Sequence, residues 1–259
     1  MCLILVAWRA HPRWPLVVCA NRDEFFARPA APAGFWPDAP DVLAGRDLSA
    51  GGTWLGVTRQ GRFAALTNYR NPADIRDGAP SRGALVADFL RGKDTPEVHL
   101  AGLAQGADRY NGFGLLAATR DRLGFLSNRG GPPELVPPGV HGLSNQLLDT
   151  PWPKVVEGRA RLSRLLEGDV DADAGLALLD DTTPAPDATL PDTGVGPERE
   201  RWLSSLRIPS DPLRGMSYGT RCSTFLRIDA DGRGEFVERT FQPDGSVSGT
   251  VRFEFSRGD

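Results

Sequence analysis

CLILVAW at residues 2–8 and LVVCANRDE at residues 16–24 are the stretches on which the fold turns. The first is a short apolar run that closes before His11-Pro12, which suits a buried strand better than a helix. The second is alike from Leu16 to Ala20, and Arg9 to Pro15 makes a short connection, so the pair reads as a hairpin. If the second strand runs on, its pleat puts Asn21 and Asp23 on one face and Arg22 and Glu24 on the other. Four polar groups then sit at the strand end next to the start of the chain. Removal of Met1 would leave Cys2 with a thiol and a free α-amine on one residue, and that amine can serve as base for its own side chain.

Working outward, Gly52–Thr58 and Arg62–Asn68 flank Arg59-Gln60-Gly61 as a second hairpin that delivers Thr67, Asn68 and Tyr69 at a strand end. Residues 27–40 are rich in proline and alanine and read as loop. Ser81 reads as the cap of a helix over 83–90, closed by Gly92. A second helix is expected over 95–108, weakened by two glycines. Residues 113–119 and 123–127 form a third hairpin, and 139–144 a short strand presenting Asn145. Thr150-Pro151 opens the clearest helix, running to Gly168, and 172–179 continues as another. Residues 182–197 read as exposed, mobile loop, 198–206 as a short helix, and 219–229, 234–241 and 247–255 as three closing strands. Asp229 to Gly234 begins like a calcium loop, but Arg233 stands where an oxygen ligand belongs and no closing Glu follows, so a hairpin turn is expected. Segregated runs of strands and helices point to an α+β fold with antiparallel sheets covered by helices.

The 259 residues fit one large domain or two small ones, and no obvious linker divides them; a single domain over 1–259 is expected. A net charge of -3 gives no electrostatic case for nucleic acid or an anionic membrane. Of the 30 basic residues only Lys93 and Lys154 are lysines, which reads as coding bias. Cys2, Cys19 and Cys222 make neither a disulfide framework nor a metal motif, so no metal is expected. Cys19 and Cys222 read as core. No stretch has the roughly 18 apolar residues that span a bilayer, and the apolar start lacks a preceding basic segment, so a cytoplasmic protein without stable membrane insertion is expected.

At MCLILVAW and ANRDEFFARP the chain resembles the NRDE family, also called the transport and Golgi organization protein 2 family. GGTWLGVT at 51–58, AALTNYRNP at 64–72, YNGFGLLAA at 110–118, HGLSNQLLDTPWPKV at 141–155 and YGTRCST at 218–224 carry the resemblance through most of the sequence. That family in turn is similar to the N-terminal nucleophile hydrolases of the bile-salt hydrolase and penicillin acylase kind. The resemblance implies a four-layer αββα sandwich, two stacked antiparallel sheets between helical layers, with Cys2 as nucleophile. It also implies that Arg22 stabilises the thiolate, Asp23 holds the α-amine, and Asn68 and Asn145 polarise the oxyanion. Those hydrolases place an aspartate three residues after the arginine; here Asn-Arg-Asp-Glu is contiguous, so Asp23 and Glu24 can exchange roles. Asn21, Glu24 and Arg221 are the remaining substrate-side candidates, Arg221 for a carboxylate or phosphate.

Two functions are therefore carried forward. One is hydrolysis of an amide or thioester in a small molecule, with no cofactor. The other, which the family resemblance implies, is a binding and trafficking protein on the same fold with haem or a lipid-like ligand. For haem the available histidines are His11, His99 and His141, and no haem-attachment motif is present. An arginine beside Cys2 leads to the expectation of a partly ionised thiol.

Overall fold

A computed structural model describes residues 2–210 and 217–256. Met1, whose removal the nucleophile reading requires, lies outside the described residues. The hairpin at the start of the chain forms as read: β1 (Cys2–Trp8) pairs antiparallel with β2 (Leu16–Phe25), in a register that sets Cys2 opposite Arg22 and Leu5 opposite Cys19. β3 (Ala30–Trp36) and β4 (Ala39–Asp47) follow, then β5 (Leu55–Thr58) and β6 (Phe63–Asn68). After α1 (Gly83–Arg91) and α2 (Pro96–Ala104) come β7 (Phe113–Ala118), β8 (Leu123–Ser127), β9 (Glu134–Leu135) and β10 (Gly139–Leu143). α3 (Pro153–Leu166), α4 (Ala172–Leu179) and α5 (Pro197–Trp202) precede β11 (Tyr218–Ile228), β12 (Gly234–Phe241) and β13 (Val247–Phe255).

Among the described residues the strands form two antiparallel sheets. One has the order β10-β1-β2-β11-β12-β13, the other runs from β3 to β9 in sequence order. Three apolar clusters define the layers. Ile4, Val18, Val57, Phe63, Leu116 and Phe236 meet between the two sheets. Leu3, Leu5, Val17 and Phe225 pack the other face of the first sheet against Val155 and Leu162 of α3 and Leu176 of α4. Leu66, Phe113 and Leu115 pack the outer face of the second sheet against Leu85 and Phe89 of α1 and Leu100 of α2. The molecule is the expected α+β sandwich with helices outside both sheets. Burial on both faces explains why the central strands read as unbroken apolar runs and not as alternation.

Several boundaries differ from expectation. Residues 27–40 are not loop: β3 and the start of β4 occupy them, with β3 at the edge of its sheet, where Pro32 removes no ladder bond from an interior strand. Ser81 does not cap α1; Arg82 stands at the cap and its side chain makes no capping bond. The helix expected over 95–108 stops at Ala104, with a separate 3₁₀ turn over Ala107–Arg109. α3 opens on Pro153, not Pro151. Asp229 accepts from the backbone N–H of Asp231 and Arg233, an ordinary hairpin turn. No helix among the described residues is long and apolar enough to cross a membrane.

Candidate active site

β1 and β2 are neighbours inside their sheet, and β2 pairs along its length with β11. Cys2, Arg22 and Cys222 therefore form a row across three adjacent strands. A β-bulge between Thr220 and Cys222 leaves Arg221 as the extra residue, so its guanidinium turns back to donate to the carbonyls of Phe25 and Arg28. The row opens into a cleft of about 650 Å³ between the two sheets, bordered by Cys2, Arg22, Glu24, Asn68, Arg82 and Cys222, with Arg28 and Arg221 at its rim.

The pleat divides the NRDE residues as predicted. Arg22 and Glu24 face the cleft, 3.8 Å apart at their charged ends. Asn21 and Asp23 carry their side chains to the helical face. Asn21 is fully buried: its amide donates to the carbonyls of Leu179 and Leu206, and its oxygen accepts from Ser223. Its place is a clamp on the α4 and 206 segments, which corrects the expectation of substrate contact. Asp23 accepts a 2.6 Å hydrogen bond from the Thr220 hydroxyl, and its carbonyl accepts from the Tyr218 hydroxyl. Burial raises its pKa, against the pull of Lys154.

Asn68 and Asn145 occupy different places from one another. Asn68 borders the cleft. Asn145 is fully buried behind it and donates to the Asn68 carbonyl at 2.8 Å, while its own carbonyl accepts from Arg70 over the Asn68 neighbourhood. Asn145 thus holds the Asn68 turn and does not open on the cleft, a correction to its expected role as an oxyanion donor. The Ser144 hydroxyl donates to the Cys2 carbonyl at 3.1 Å, tying the end of β10 to the start of β1.

Burial pushes the Cys2 thiol up; Arg22 and a hydrogen bond from the Asp23 N–H oppose it without winning. That direction runs against the expected partly ionised thiol, because desolvation exceeds what one arginine supplies. Cys19 packs in the helical-side core as read. Cys222 is buried, as read, and also walls the cleft, where it bonds to Glu238; burial raises both groups. Glu238 also accepts from the Ala33 N–H at 2.8 Å, linking β12 of one sheet to β3 of the other at the cleft.

A sequence model described as Transport and Golgi organisation 2 matches residues 1–243. The chain belongs to that family. It is 36% identical over 257 residues to the Transport and Golgi organization protein 2 homolog of Bos taurus, covering 93% of each chain. To the Homo sapiens homolog it is 34% identical over 274 residues, covering 99% of each. Among solved structures it is similar to a Caenorhabditis elegans N-acylethanolamine-hydrolyzing acid amidase ortholog, with a TM-score of 0.46 and 12% identity over 69% of this chain and 86% of that one. That likeness is loose and says nothing of chemistry.

In this member of the Transport and Golgi organisation 2 family, two site residues escaped the sequence reading. Arg82 borders the cleft at the start of α1, where a loop serine-arginine pair gives no periodic signal. Lys154 sits in the first turn of α3, 2% exposed, with no hydrogen-bond partner for Nζ among the described residues. Burial lowers its pKa to about 8, with Asp23 the first opposing charge. Its one available signal was being one of two lysines among many arginines. The three histidines all lie away from the cleft. His11 accepts from the backbone of Arg13 and Trp14, His99 packs on Phe89, and His141 bonds to Asp149 and the Pro137 carbonyl.

Proposed function

We propose that this protein is an N-terminal cysteine hydrolase acting on an amide or thioester of a small molecule once Met1 is removed. The observation that carries the reading is that Cys2, Arg22 and Asn68 border one cleft at the end of a central strand, with buried Asp23 directly across the pleat. The neutral α-amine of Cys2 takes the thiol proton, and Sγ attacks the carbonyl carbon while the π electrons move to oxygen. In this reading Asn68, which borders the same cleft and whose backbone carbonyl is held by Asn145, supplies the donor to that oxygen. The intermediate collapses by breaking the bond to the leaving amine or thiolate, which takes the proton from the ammonium. Water, deprotonated by the same amine, then splits the acyl-thioester and returns Cys2. Arg22, Arg28, Arg46, Arg82 and Arg221 outnumber Asp23, Glu24, Asp47 and Glu238 by one around the cleft, which favours a substrate carrying a carboxylate or phosphate.

Cys2→Ala is expected to remove turnover in an amide and thioester screen, and Cys19→Ala to leave it; equal rates for the two variants would sink the reading. The second reading, a carrier of haem or a lipid-like ligand, is favoured by the burial that pushes the Cys2 thiol up. With every histidine away from the cleft, a haem iron there would have to take its ligand from Cys2 or Cys222. Haem titration that gives no saturable spectral change at micromolar protein counts against it.

A further inference from the structure

The buried face behind Cys2 holds more charge than the reaction so far uses. Lys154 projects from α3, which lies on β1 and β10. Gly158, one turn further along α3, meets Leu5 so closely that a Cβ there would stand 2.7 Å from Leu5 Cδ2. Trp152, two residues before Lys154, lies beneath the Arg70 guanidinium at 4.7 Å. Arg70 in turn forms a buried 2.6 Å ion pair with Glu200 of α5. The charged or titratable groups acting on Lys154 come from four segments: Asp23 of β2, Arg70 after β6, Cys2 of β1 and Glu200 of α5. Arg70 and Glu200 pair with each other, and Lys154 is the first charge opposing the burial of Asp23, which stands behind Cys2 on the same helical side.

Resting on the hydrolase reading, we propose that Lys154 is a positioning residue for Cys2: its ammonium offsets the Asp23 carboxylate, so that the α-amine is neutral and able to take the thiol proton. The argument is one of sign. Asp23 alone, in a water-poor space, would hold the α-amine as ammonium and hold the proton on the thiol, and an ammonium is no base. A buried cation on the other side favours loss of both protons. The unbonded Nζ fits this use. A lysine placed only for structure would be expected to complete its hydrogen bonds, because an unsatisfied buried ammonium is costly. A group acting through its field at Cys2 requires only proximity. The ordinary range of Lys154, drawn down toward pH 8 by burial, limits the effect to the acid side of that value.

The test reads the thiol and needs no substrate. Native-start protein is treated with limiting iodoacetamide over a range of pH and followed by intact mass, which reports Met1 loss and labelling together. For Lys154→Met the two coupled protons of Cys2 leave at higher pH. Labelling at pH 7 is expected to slow about tenfold and its midpoint to rise by about one unit. Lys154→Arg keeps the charge and is expected to stay within about twofold of the parent, as is Lys93→Met at the exposed lysine. Where Lys154→Met fails to fold, Lys154→Gln gives the same reading. A folded neutral variant with the parent profile, Met1 absent and Cys2 labelled first, overturns the role of Lys154 and leaves the hydrolase reading standing. Retained Met1, or first labelling elsewhere, overturns both.

Discussion

At the scale of single residues, the site is governed by which face each side chain takes. Asn145 shows how this bears on function: its amide holds the Asn68 carbonyl, so Asn145→Ala is expected to act through Asn68 and lower kcat by about tenfold with KM little changed. On the proposed hydrolase reading Asn68→Ala should lower kcat more, by about a hundredfold, as loss of an oxyanion donor does. Steady-state kinetics on any substrate found in the screen checks the order. A second residue-level outcome concerns His141, whose pKa is raised by its 2.7 Å bond to Asp149, which is itself held low. A raised histidine contributes most when protonated, so its contribution is present below the ordinary histidine value and is lost as pH rises through its folded pKa. The Tm difference between the parent and His141→Gln should therefore be larger at pH 6 than at pH 8.5. The alternation that separates Asn21 and Asp23 from Arg22 and Glu24 was legible in four letters, because a strand has a fixed period. What Asn21 and Asn145 bond to was not, since their partners at Leu179, Leu206 and Asn68 come from remote segments.

At the scale of elements, the close approach of α4 to β11 fixes one helical layer. A Cβ at Gly175 would stand 2.1 Å from Phe225 Cδ2, and that ring is fully buried. Gly175→Ala is expected to destabilise the protein by about 3 kcal/mol in urea unfolding, because helix and strand must separate to admit one methyl group. α5 is tethered differently. Glu200 pairs with Arg70 and accepts from both the N–H and the hydroxyl of Thr193, so it holds the 182–197 stretch that composition alone marks as loose. Glu200→Ala should cost about 3 kcal/mol by removing the carboxylate paired with buried Arg70, and limited proteolysis should show faster cleavage within 182–197. Hairpins at 2–25, 55–68 and 113–127 were legible because apolar runs with short polar turns allow few alternatives. β3 was not, since prolines at 29, 32 and 37 imitate a loop, and only its position at a sheet edge makes Pro32 tolerable. Lys154 was hidden for a related reason: on an amphipathic helix a lysine reads as surface until the charges packed against it are known.

At the scale of the whole molecule, two sheets meet over one cleft, and Glu238 crosses between them to the Ala33 N–H. The row of Cys2, Arg22 and Cys222 has a chemical corollary for how the protein ages. Two strand spacings put the thiols of Cys2 and Cys222 on backbones about 10 Å apart, beyond the reach of a disulfide. Cys19 lies on the opposite face of the sheet, in the helical-side core. Oxidation at Cys2 therefore finds no resolving thiol within the chain. A sulfenic acid formed there would persist until an outside thiol capped it or further oxidant carried it to the irreversible sulfinic stage, so the shelf life of a preparation is set by the reductant around it.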